Sequence, residues 1–345
     1  MKTNERVLVY GASGHTGRFV VDELLRRGLA PVLAGRSVDG IARSARYDAL
    51  DLRAAGVDDS DGLRRAVEGN AVVINCAGPF LDTALPLARA AVEAGAHYLD
   101  VTAEQPVVQA LYDELDAPAR AAGVAVVPAM AFYGGLADLL VTAALEGDTR
   151  ADEVTITIGL DRWWPTAGTR ATGVRNTATR LVIRDGTLTA LENPAPTGTW
   201  SYPAPLGVQP VVELPFSEVI TIGRHLDVGE LRSYLNAAPL DDLHDAHTPA
   251  PSAIDEEGRS AQQFVMDVVL SLGNERRRIS ATGRDIYAAT APIVVEGAAR
   301  LLEGLYRGPG AGAPAEMFDA AGVLGALDRS GRAIALRADL PVAGP

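Results

Sequence analysis

Residues 7–37, VLVYGASGHTGRFVVDELLRRGLAPVLAGRS, decide the fold of this chain. Val7 to Tyr10 form an unbroken apolar run, which predicts a buried parallel strand. Apolar residues then recur at helical spacing and predict a helix from His15 to Arg27, for which Gly28 is a suitable C-terminal residue. Between strand and helix, glycines follow one another at three-residue spacing: Gly11, Gly14 and Gly17.

This strand, glycine turn and helix together predict an anion site. Glycines let a pyrophosphate approach the backbone, while free N–H groups and the helix dipole stabilise its charge. The G-x-x-G-x-x-G spacing departs from the commoner G-x-G-x-x-G, so the prediction of a dinucleotide depends on the flanking strand and helix. The alternative is a tight turn without a ligand. The predicted cofactor contacts of this turn are Gly11, Ser13, Gly14, His15, Thr16 and Gly17.

The end of the second predicted strand indicates which dinucleotide binds. An NAD-selective site usually has Asp or Glu there, to accept a hydrogen bond from the ribose 2′-hydroxyl. This chain has Arg36 and Ser37 instead. A guanidinium offers a planar fork of donors to phosphate oxygens, so we predict NADP rather than NAD. The alternative is a solvent-exposed Arg36 with no ligand.

Composition limits the classes of partner. The 345 residues carry a formal net charge of −13, which argues against nucleic acid and anionic membranes. The single cysteine, Cys76, excludes an internal disulfide framework. No signal peptide is recognised, and the longest apolar stretches are too short to span a bilayer. We therefore expect a cytoplasmic protein.

Strands alternating with helices continue to about residue 128 and predict a doubly wound, mostly parallel sheet. The third strand is poorly marked: it lies near Tyr47–Leu52, or it ends at Val57–Ser60 and places Asp58 beside the adenine. The alternative role for Asp58 is a helix N-cap. After the fourth strand, the loop that begins at Cys76 is expected to pass the nicotinamide ribose. Its predicted contacts are Cys76, Ala77, Gly78 and Pro79.

The pattern changes near residue 147. Val154–Ile158 alternates with a period of two, and Asp185-Gly186 and Gly273-Asn274 indicate two hairpins. The proline-rich stretch between the hairpins predicts a long loop across a sheet. From Asp285 the periodicity becomes helical, and Phe318–Leu327 predicts one more helix. The middle region is therefore predicted to be an antiparallel α+β domain, followed by helices that return to the first domain.

Two side chains are candidates for the chemistry. Tyr133 leaves the last parallel strand on the crevice side and is the preferred proton donor; its alternative role is packing. Arg170, or Arg175, could hold a substrate carboxylate, the alternative being a solvated face. His244 and His247 lie in an acidic stretch without further His or Cys ligands, so no metal site is predicted.

Four segments in series, GASGHTG, LAGRS, INCAGPF and AGAHYLDVTAEQ, resemble the NADP-binding domain of the saccharopine dehydrogenase-like oxidoreductases, as does RRISATGRDIYAATAPIVVEGAARLL near the C-terminus. Two departures stand out. Ala103 replaces the family's frequent Gly before Glu, and the loop after the sixth strand is MAFYGG. The middle region carries no motif specific to saccharopine.

The resemblance implies a Rossmann domain with an inserted catalytic and dimerising α+β domain, and NADP-dependent redox chemistry. With the periodicity it gives domains at 1–146, 147–284 and 285–345. The expected function is NADPH-dependent reduction of a C=N, C=O or conjugated C=C bond in a small molecule by a homodimer. The rival hypothesis is an NADP(H)-binding redox sensor without turnover.

Overall fold

Two β-sheets, one parallel and one mixed, organise the chain in the computed structural model, which describes residues 6–37, 40 and 50–338. The α/β architecture predicted from the sequence, a doubly wound sheet followed by a mostly antiparallel one, is therefore confirmed. The helix expected from Val38 to Arg46 and the start of the strand expected near Tyr47 lie outside the described residues, apart from Gly40.

The first sheet contains seven parallel strands among the described residues, in the order β15-β6-β5-β4-β1-β2-β3. The order reverses between β1 and β4, and ligands bind beyond the carboxyl ends of the strands at such a switch point. The strands are β1 (Arg6–Tyr10), β2 (Ala30–Gly35), β3 (Asp51–Ala54), β4 (Val72–Asn75), β5 (His97–Asp100), β6 (Ala125–Val127) and β15 (Gly310–Ala311).

Helices cover both faces of this sheet, which explains its continuous apolar strands. Val7 and Val9 face one core, and Leu8 and Tyr10 face the other. The helices in chain order are α1 (His15–Arg26), α2 (Ser60–Val67), α3 (Phe80–Glu93), α4 (Gln105–Ala122) and α5 (Ala137–Ala144). The glycine that follows α1, Gly28, has φ +74°, as its predicted C-terminal position requires.

The second sheet runs in the order β10-β11-β12-β7-β13-β14-β16, with β8 beside β12 and β9 beside β8. Only the β12–β7 pair is parallel among these described strands. The strands are β7 (Arg150–Leu160), β8 (Leu181–Arg184), β9 (Thr187–Ala190), β10 (Thr197–Ser201), β11 (Val208–Glu213), β12 (Asp227–Asn236), β13 (Gln263–Leu272), β14 (Glu275–Arg284) and β16 (Ala335–Ala338). Three helices lie between them: α6 (Ala167–Arg175), α7 (Glu218–His225) and α8 (Ala238–His244).

Both predicted hairpins are confirmed. Asp185 and Gly186 have φ +48° and +71° between β8 and β9, and Gly273 has φ +58° between β13 and β14. The expectation of a long loop in the proline-rich stretch is wrong, because this stretch contains β10 and β11. Pro210 lies in the half of β11 that pairs with the edge strand β10 but not with β12, where a missing N–H is better tolerated than in the middle of a sheet.

The C-terminal segment returns to both sheets. Helix α9 (Ile286–Glu303) packs along α1, and β15 extends the first sheet. Two further helices follow, α10 (Pro314–Met317) and α11 (Ala320–Ser330), the second of which was expected at Phe318–Leu327. Strand β16 pairs with β14 in the second sheet.

One hydrophobic core joins the two sheets. Leu139 and Leu140 of α5 and Ile293 of α9 are fully buried in the same cluster as Val9 of β1 and Ile156 of β7. Helices α5 and α9 therefore form the layer between the sheets, and they hold the second sheet against the switch-point edge of the first.

We predict that Asp285→Ala destabilises the fold by about 2 kcal/mol. The Asp285 carboxylate is fully buried at the N-cap of α9 and accepts hydrogen bonds from the N–H groups of Tyr287, Ala288 and Ser260. Chemical denaturation measures the change. Asp319→Ala is the control, because Asp319 also occupies an N-cap but makes no capping bond with its side chain. Equal losses in the two variants would contradict this role for Asp285.

Candidate functional site

The glycine turn after β1 is closed to side chains. A Cβ on Gly17 would lie 2.2 Å from the Gly11 carbonyl oxygen, and one on Gly11 would lie 2.9 Å from Ala77. Gly11 also has φ +82°, in the region that favours glycine. The turn therefore brings α1, β1 and the loop after β4 into backbone contact, at the switch point of the sheet.

The N-terminus of α1 is left open by this turn. Its N-cap is Gly14, so no side chain caps the helix, and Ser13 and Gly14 are exposed. Free N–H groups at an open helix end attract an anion. The residues present therefore fit a dinucleotide pyrophosphate, and the structure brings together the predicted contacts of this turn: Gly11, Ser13, Gly14, His15, Thr16 and Gly17.

Arg36 and Ser37 follow β2 and are both exposed, beside the same edge of the sheet. Burial raises the pKa of Tyr10. Arg36 opposes this shift and Asp58 adds to it. The guanidinium and the carboxylate therefore both lie near the Tyr10 hydroxyl, which donates to the Ala55 carbonyl oxygen at 2.9 Å.

Of the two registers left open for the third strand, the one near Tyr47–Leu52 overlaps the observed strand at Asp51 and Leu52, and the one that ends at Val57–Ser60 is wrong. Strand β3 covers Asp51–Ala54, so Asp58 lies four residues beyond its end and is exposed. The alternative N-cap role belongs to Asp59, whose carboxylate accepts the Gly62 N–H at 2.8 Å. The strand is poorly marked in the sequence because its pattern, half-buried at most, is that of a sheet edge.

A buried polar network holds the loop that contains Cys76, Ala77, Gly78 and Pro79. The Asn75 side chain accepts the Ala77 N–H at 3.0 Å, and the Thr83 hydroxyl donates to the Ala77 carbonyl oxygen at 2.5 Å. The Asn75 amide nitrogen also donates to Thr83 and to Tyr98. Both backbone groups of Ala77 are thus fixed beside Gly11.

Cys76 follows β4 in this loop and is half-buried. Burial and the neighbouring Asp100 raise the pKa of its thiol well above the ordinary range. The thiol therefore stays protonated near neutral pH, which suits a packing contact and disfavours a nucleophile.

Sequence reasoning missed two acidic residues at the end of β5. Asp100 is fully buried and accepts hydrogen bonds from the N–H groups of Thr102 and Ala129 and from the Tyr98 hydroxyl. Burial raises the pKa of Asp100 to about 6, although these bonds oppose the shift. Asp100 thereby ties the exit loops of β5 and β6 together.

Glu104 is 2% exposed and bridges to the next loop, where its Oε1 accepts the Phe80 N–H at 2.8 Å. Its Oε2 is buried with no partner among the described residues. Burial raises the pKa of Glu104 to about 7, against the opposing hydrogen bond from Phe80. A carboxylate directly after an apolar strand was the available signal for both acids.

Tyr133 lies in a π-helical turn, Phe132–Leu136, between β6 and α5. Ala129, just before this turn, has φ +56°, and a Cβ on Gly134 would lie 2.6 Å from the Ser217 hydroxyl. Such local strain and π-turns occur often at functional sites. The Tyr133 hydroxyl is buried without a hydrogen-bond partner among the described residues, and burial raises its pKa well above the ordinary value.

Aromatic rings line the space between the glycine turn and Tyr133. His15 meets Tyr287 edge to face at 5.3 Å, and the Tyr287 hydroxyl accepts the Trp163 indole N–H at 3.1 Å. The Tyr133 ring lies 6.3 Å from Trp163 and 4.2 Å from Phe216 between ring centroids. Trp163 therefore belongs to this group of rings, while Trp164 lies beside Arg162.

Arg170 does not reach this aromatic region. Its guanidinium donates to the carbonyl oxygens of Leu243, Asp245 and Thr248 at 3.0–3.1 Å. These bonds fasten α6 to the loop after α8, and they correct the expectation that Arg170 binds a substrate carboxylate. Arg175 pairs with Asp82 at 2.8 Å across the crevice.

His244 and His247 are exposed. Among residues 6–37, 40 and 50–338, no group of three or more His, Cys, Asp or Glu side chains could hold a metal ion. No helix in that part of the chain has the length and apolar character needed to cross a bilayer.

We predict that Glu104→Gln removes a pH-dependent loss of stability. The pKa of Glu104 is higher in the folded chain than in the unfolded chain, so the protonated carboxyl favours the folded state below the unfolded pKa. This contribution to stability is lost as the pH rises through about 7. Glutamine can still accept the Phe80 N–H. Relative to the wild type, the variant should therefore gain about 1–3 kcal/mol in free energy of unfolding between pH 5 and pH 8.

Denaturation in urea at both pH values measures this gain. The control is Glu114→Gln, which removes an exposed carboxylate paired with Arg89. A Glu104→Gln difference that stays constant with pH would show that the buried carboxyl does not titrate in this range.

Comparison with known proteins agrees with this geometry. Residues 7–127 match the saccharopine dehydrogenase NADP binding domain. A saccharopine dehydrogenase-like oxidoreductase of Bos taurus is 27% identical over 161 residues, covering 40% of this chain and 38% of the relative. A lipid droplet localized protein of Caenorhabditis elegans is 32% identical over 146 residues, covering 39% and 34%. The chain thus spans about a third of the length of these curated relatives.

The likeness in fold extends over the whole chain. Apo saccharopine dehydrogenase (L-Glu forming) of Saccharomyces cerevisiae superposes with a TM-score of 0.69 over 98% of this chain and 100% of that chain, at 12% identity. At this identity the match concerns the fold alone. Residues 7–127 therefore match a saccharopine dehydrogenase NADP binding domain, which confirms the resemblance for this part of the chain.

Proposed function

We propose that this chain is an NADPH-dependent oxidoreductase that reduces a C=N, C=O or conjugated C=C bond of a small molecule. The observation that carries the proposal is the glycine turn: it excludes any Cβ at Gly17 and leaves the end of α1 uncapped. That turn and the exposed Arg36 at the end of β2 fit a dinucleotide with a 2′-phosphate.

In this proposal each part of the chain has a separate task. NADPH, when bound, would supply the hydride. The loop from Cys76 to Pro79, fixed at Ala77, borders its nicotinamide end, and Trp163 and Phe216 enclose the substrate. Tyr133 is the proton donor, because its ring lies between Trp163 and Phe216 and its hydroxyl has no competing partner among the described residues.

The proposal includes the arrangement of the whole protein. We propose that residues 147–284 are an inserted substrate and dimerisation domain, and that the protein is a cytoplasmic homodimer paired through the second sheet. The single cysteine suits a reducing compartment. Light scattering after size-exclusion chromatography tests the dimer: a monomer at micromolar concentration would contradict it.

We predict that Arg36→Ala weakens NADPH binding tenfold or more, while NADH binding changes less than twofold, because only NADPH carries the phosphate that the guanidinium would bind. Isothermal titration calorimetry with both cofactors measures the two affinities. Arg89→Ala is the control, since Arg89 is exposed on α3 and pairs with Glu114. Unchanged NADPH affinity in Arg36→Ala would overturn the assignment of the 2′-phosphate site.

Turnover separates an enzyme from a redox sensor. We expect NADPH oxidation with at least one member of a panel of small aldehydes, ketones, imines and enoates. Tyr133→Phe should lower kcat for that substrate by about 10²–10⁴-fold with cofactor affinity unchanged. Tight NADPH binding without turnover on any member would instead favour the sensor.

A further inference from the structure

Arg180 precedes β8 and is a half-buried cation with few partners. Its Nη1 donates to the Pro215 carbonyl oxygen at 2.5 Å, and its guanidinium carbon lies 5.0 Å from the centre of the Phe216 ring. No carboxylate lies within ion-pair distance of it among the described residues. The Nε–Nη2 edge of the guanidinium is therefore without a protein acceptor in that part of the chain.

Comparable arginines of this chain are paired. Each of five arginines with side chains 10–19% exposed forms an ion pair at 2.7–3.0 Å: Arg27, Arg53, Arg184, Arg278 and Arg300. Withdrawing a charge from water is costly unless a partner compensates it. Burial lowers the pKa of Arg180, while the buried Glu218 carboxylate, which lies beyond ion-pair distance, opposes this shift. The Oε1 of Glu218 accepts the Phe216 N–H, and its Oε2 has no partner among the described residues. The unpaired edge of Arg180 is thus an exception that a ligand would explain.

The second observation is the hydroxyl of Tyr133. Its ring lies on the same Phe216 ring, 4.2 Å away between centroids, and Arg180 and Tyr133 act on each other electrostatically. The buried hydroxyl has no hydrogen-bond partner among the described residues. The guanidinium edge of Arg180 and the hydroxyl of Tyr133 therefore both lie near the Phe216 ring, and neither has a hydrogen-bond acceptor among the described residues.

Backbone contacts fix this pair at the crevice. The Gln105 side chain accepts the Leu181 N–H at 2.8 Å and donates to the Phe216 carbonyl oxygen at 2.9 Å. The Ser217 hydroxyl donates to the Thr102 carbonyl oxygen at 3.2 Å. The second domain is thus clamped to the end of β5, so that Arg180 is held beside the exit loops of the parallel strands.

We propose that Arg180 binds the carboxylate of the substrate through its free edge, and that the substrate is a small carboxylic acid carrying the reducible bond. A planar guanidinium edge matches the two oxygens of a carboxylate. Held this way, the acid has its reducible bond next to the Tyr133 hydroxyl. This inference rests on the proposed function and adds the class of substrate to it.

The test is binding of acids against their uncharged amides. Calorimetry with the NADP⁺-loaded protein uses pyruvate, 2-oxobutyrate and 2-oxoglutarate, each beside its amide. We expect at least one acid to bind tenfold or more tightly than its amide. Arg180→Gln should remove that preference, Arg180→Lys should keep part of it, and Tyr133→Phe should retain it because the charge remains. Arg89→Gln, on the distant surface of α3, should bind as the wild type does.

Each result decides the proposal. Equal binding of acid and amide, no binding of any acid, or a preference that survives Arg180→Gln in a variant of normal circular dichroism and NADP⁺ affinity overturns the role of Arg180. The titrations are repeated without cofactor. A chain that binds no NADP⁺ but binds acids through Arg180 would contradict the proposed function and leave the anion site standing.

Discussion

The contact between Gly17 and the Gly11 carbonyl oxygen is the constraint on which the site depends. A Cβ at Gly17 would lie only 2.2 Å from that oxygen, so the position has space for nothing larger than hydrogen. Any side chain at Gly17 would push α1 away from the Gly11 carbonyl group at the end of β1. The turn therefore sets the distance between helix, strand and the following loop, and an open helix end results.

Around this turn the chain uses polar networks where sheets usually use apolar packing. Asn75, Tyr98 and Asp100 are completely or almost completely buried and join the ends of β4 and β5 to the exit loop of β6. Satisfied buried networks favour a single geometry, because every displaced donor loses its partner. The second domain adds its own clamps at Gln105 and Ser217. The loops at the carboxyl ends of the parallel strands are thus held rigidly by buried polar groups.

The sequence predicted features whose cause is local. The glycine turn, the buried apolar strands and the Asp185-Gly186 hairpin each follow from the residues that form them. It missed features that depend on distant partners. Strands β10 and β11 contain or adjoin prolines, and β16 pairs with β14, from which three helices separate it along the chain.

The same distinction applies to the site. Arg170 and Arg180 both lie near predicted helices or strands, and sequence periodicity does not indicate which of them is available to bind a ligand. Only the fold shows that the first is bound by three carbonyls and that the second faces Phe216 with a free edge. The roles of Asp100 and Glu104 also required knowledge of which loops meet above the sheet.

The shared core around α5 and α9 has a consequence for how the molecule can be divided. Val9 and Ile156, one from each sheet, belong to the same buried cluster. A chain cut after residue 146 would leave the apolar side of α5 in water and would lack α9 altogether. The two sheets and the helices between them are therefore expected to unfold as a single cooperative unit.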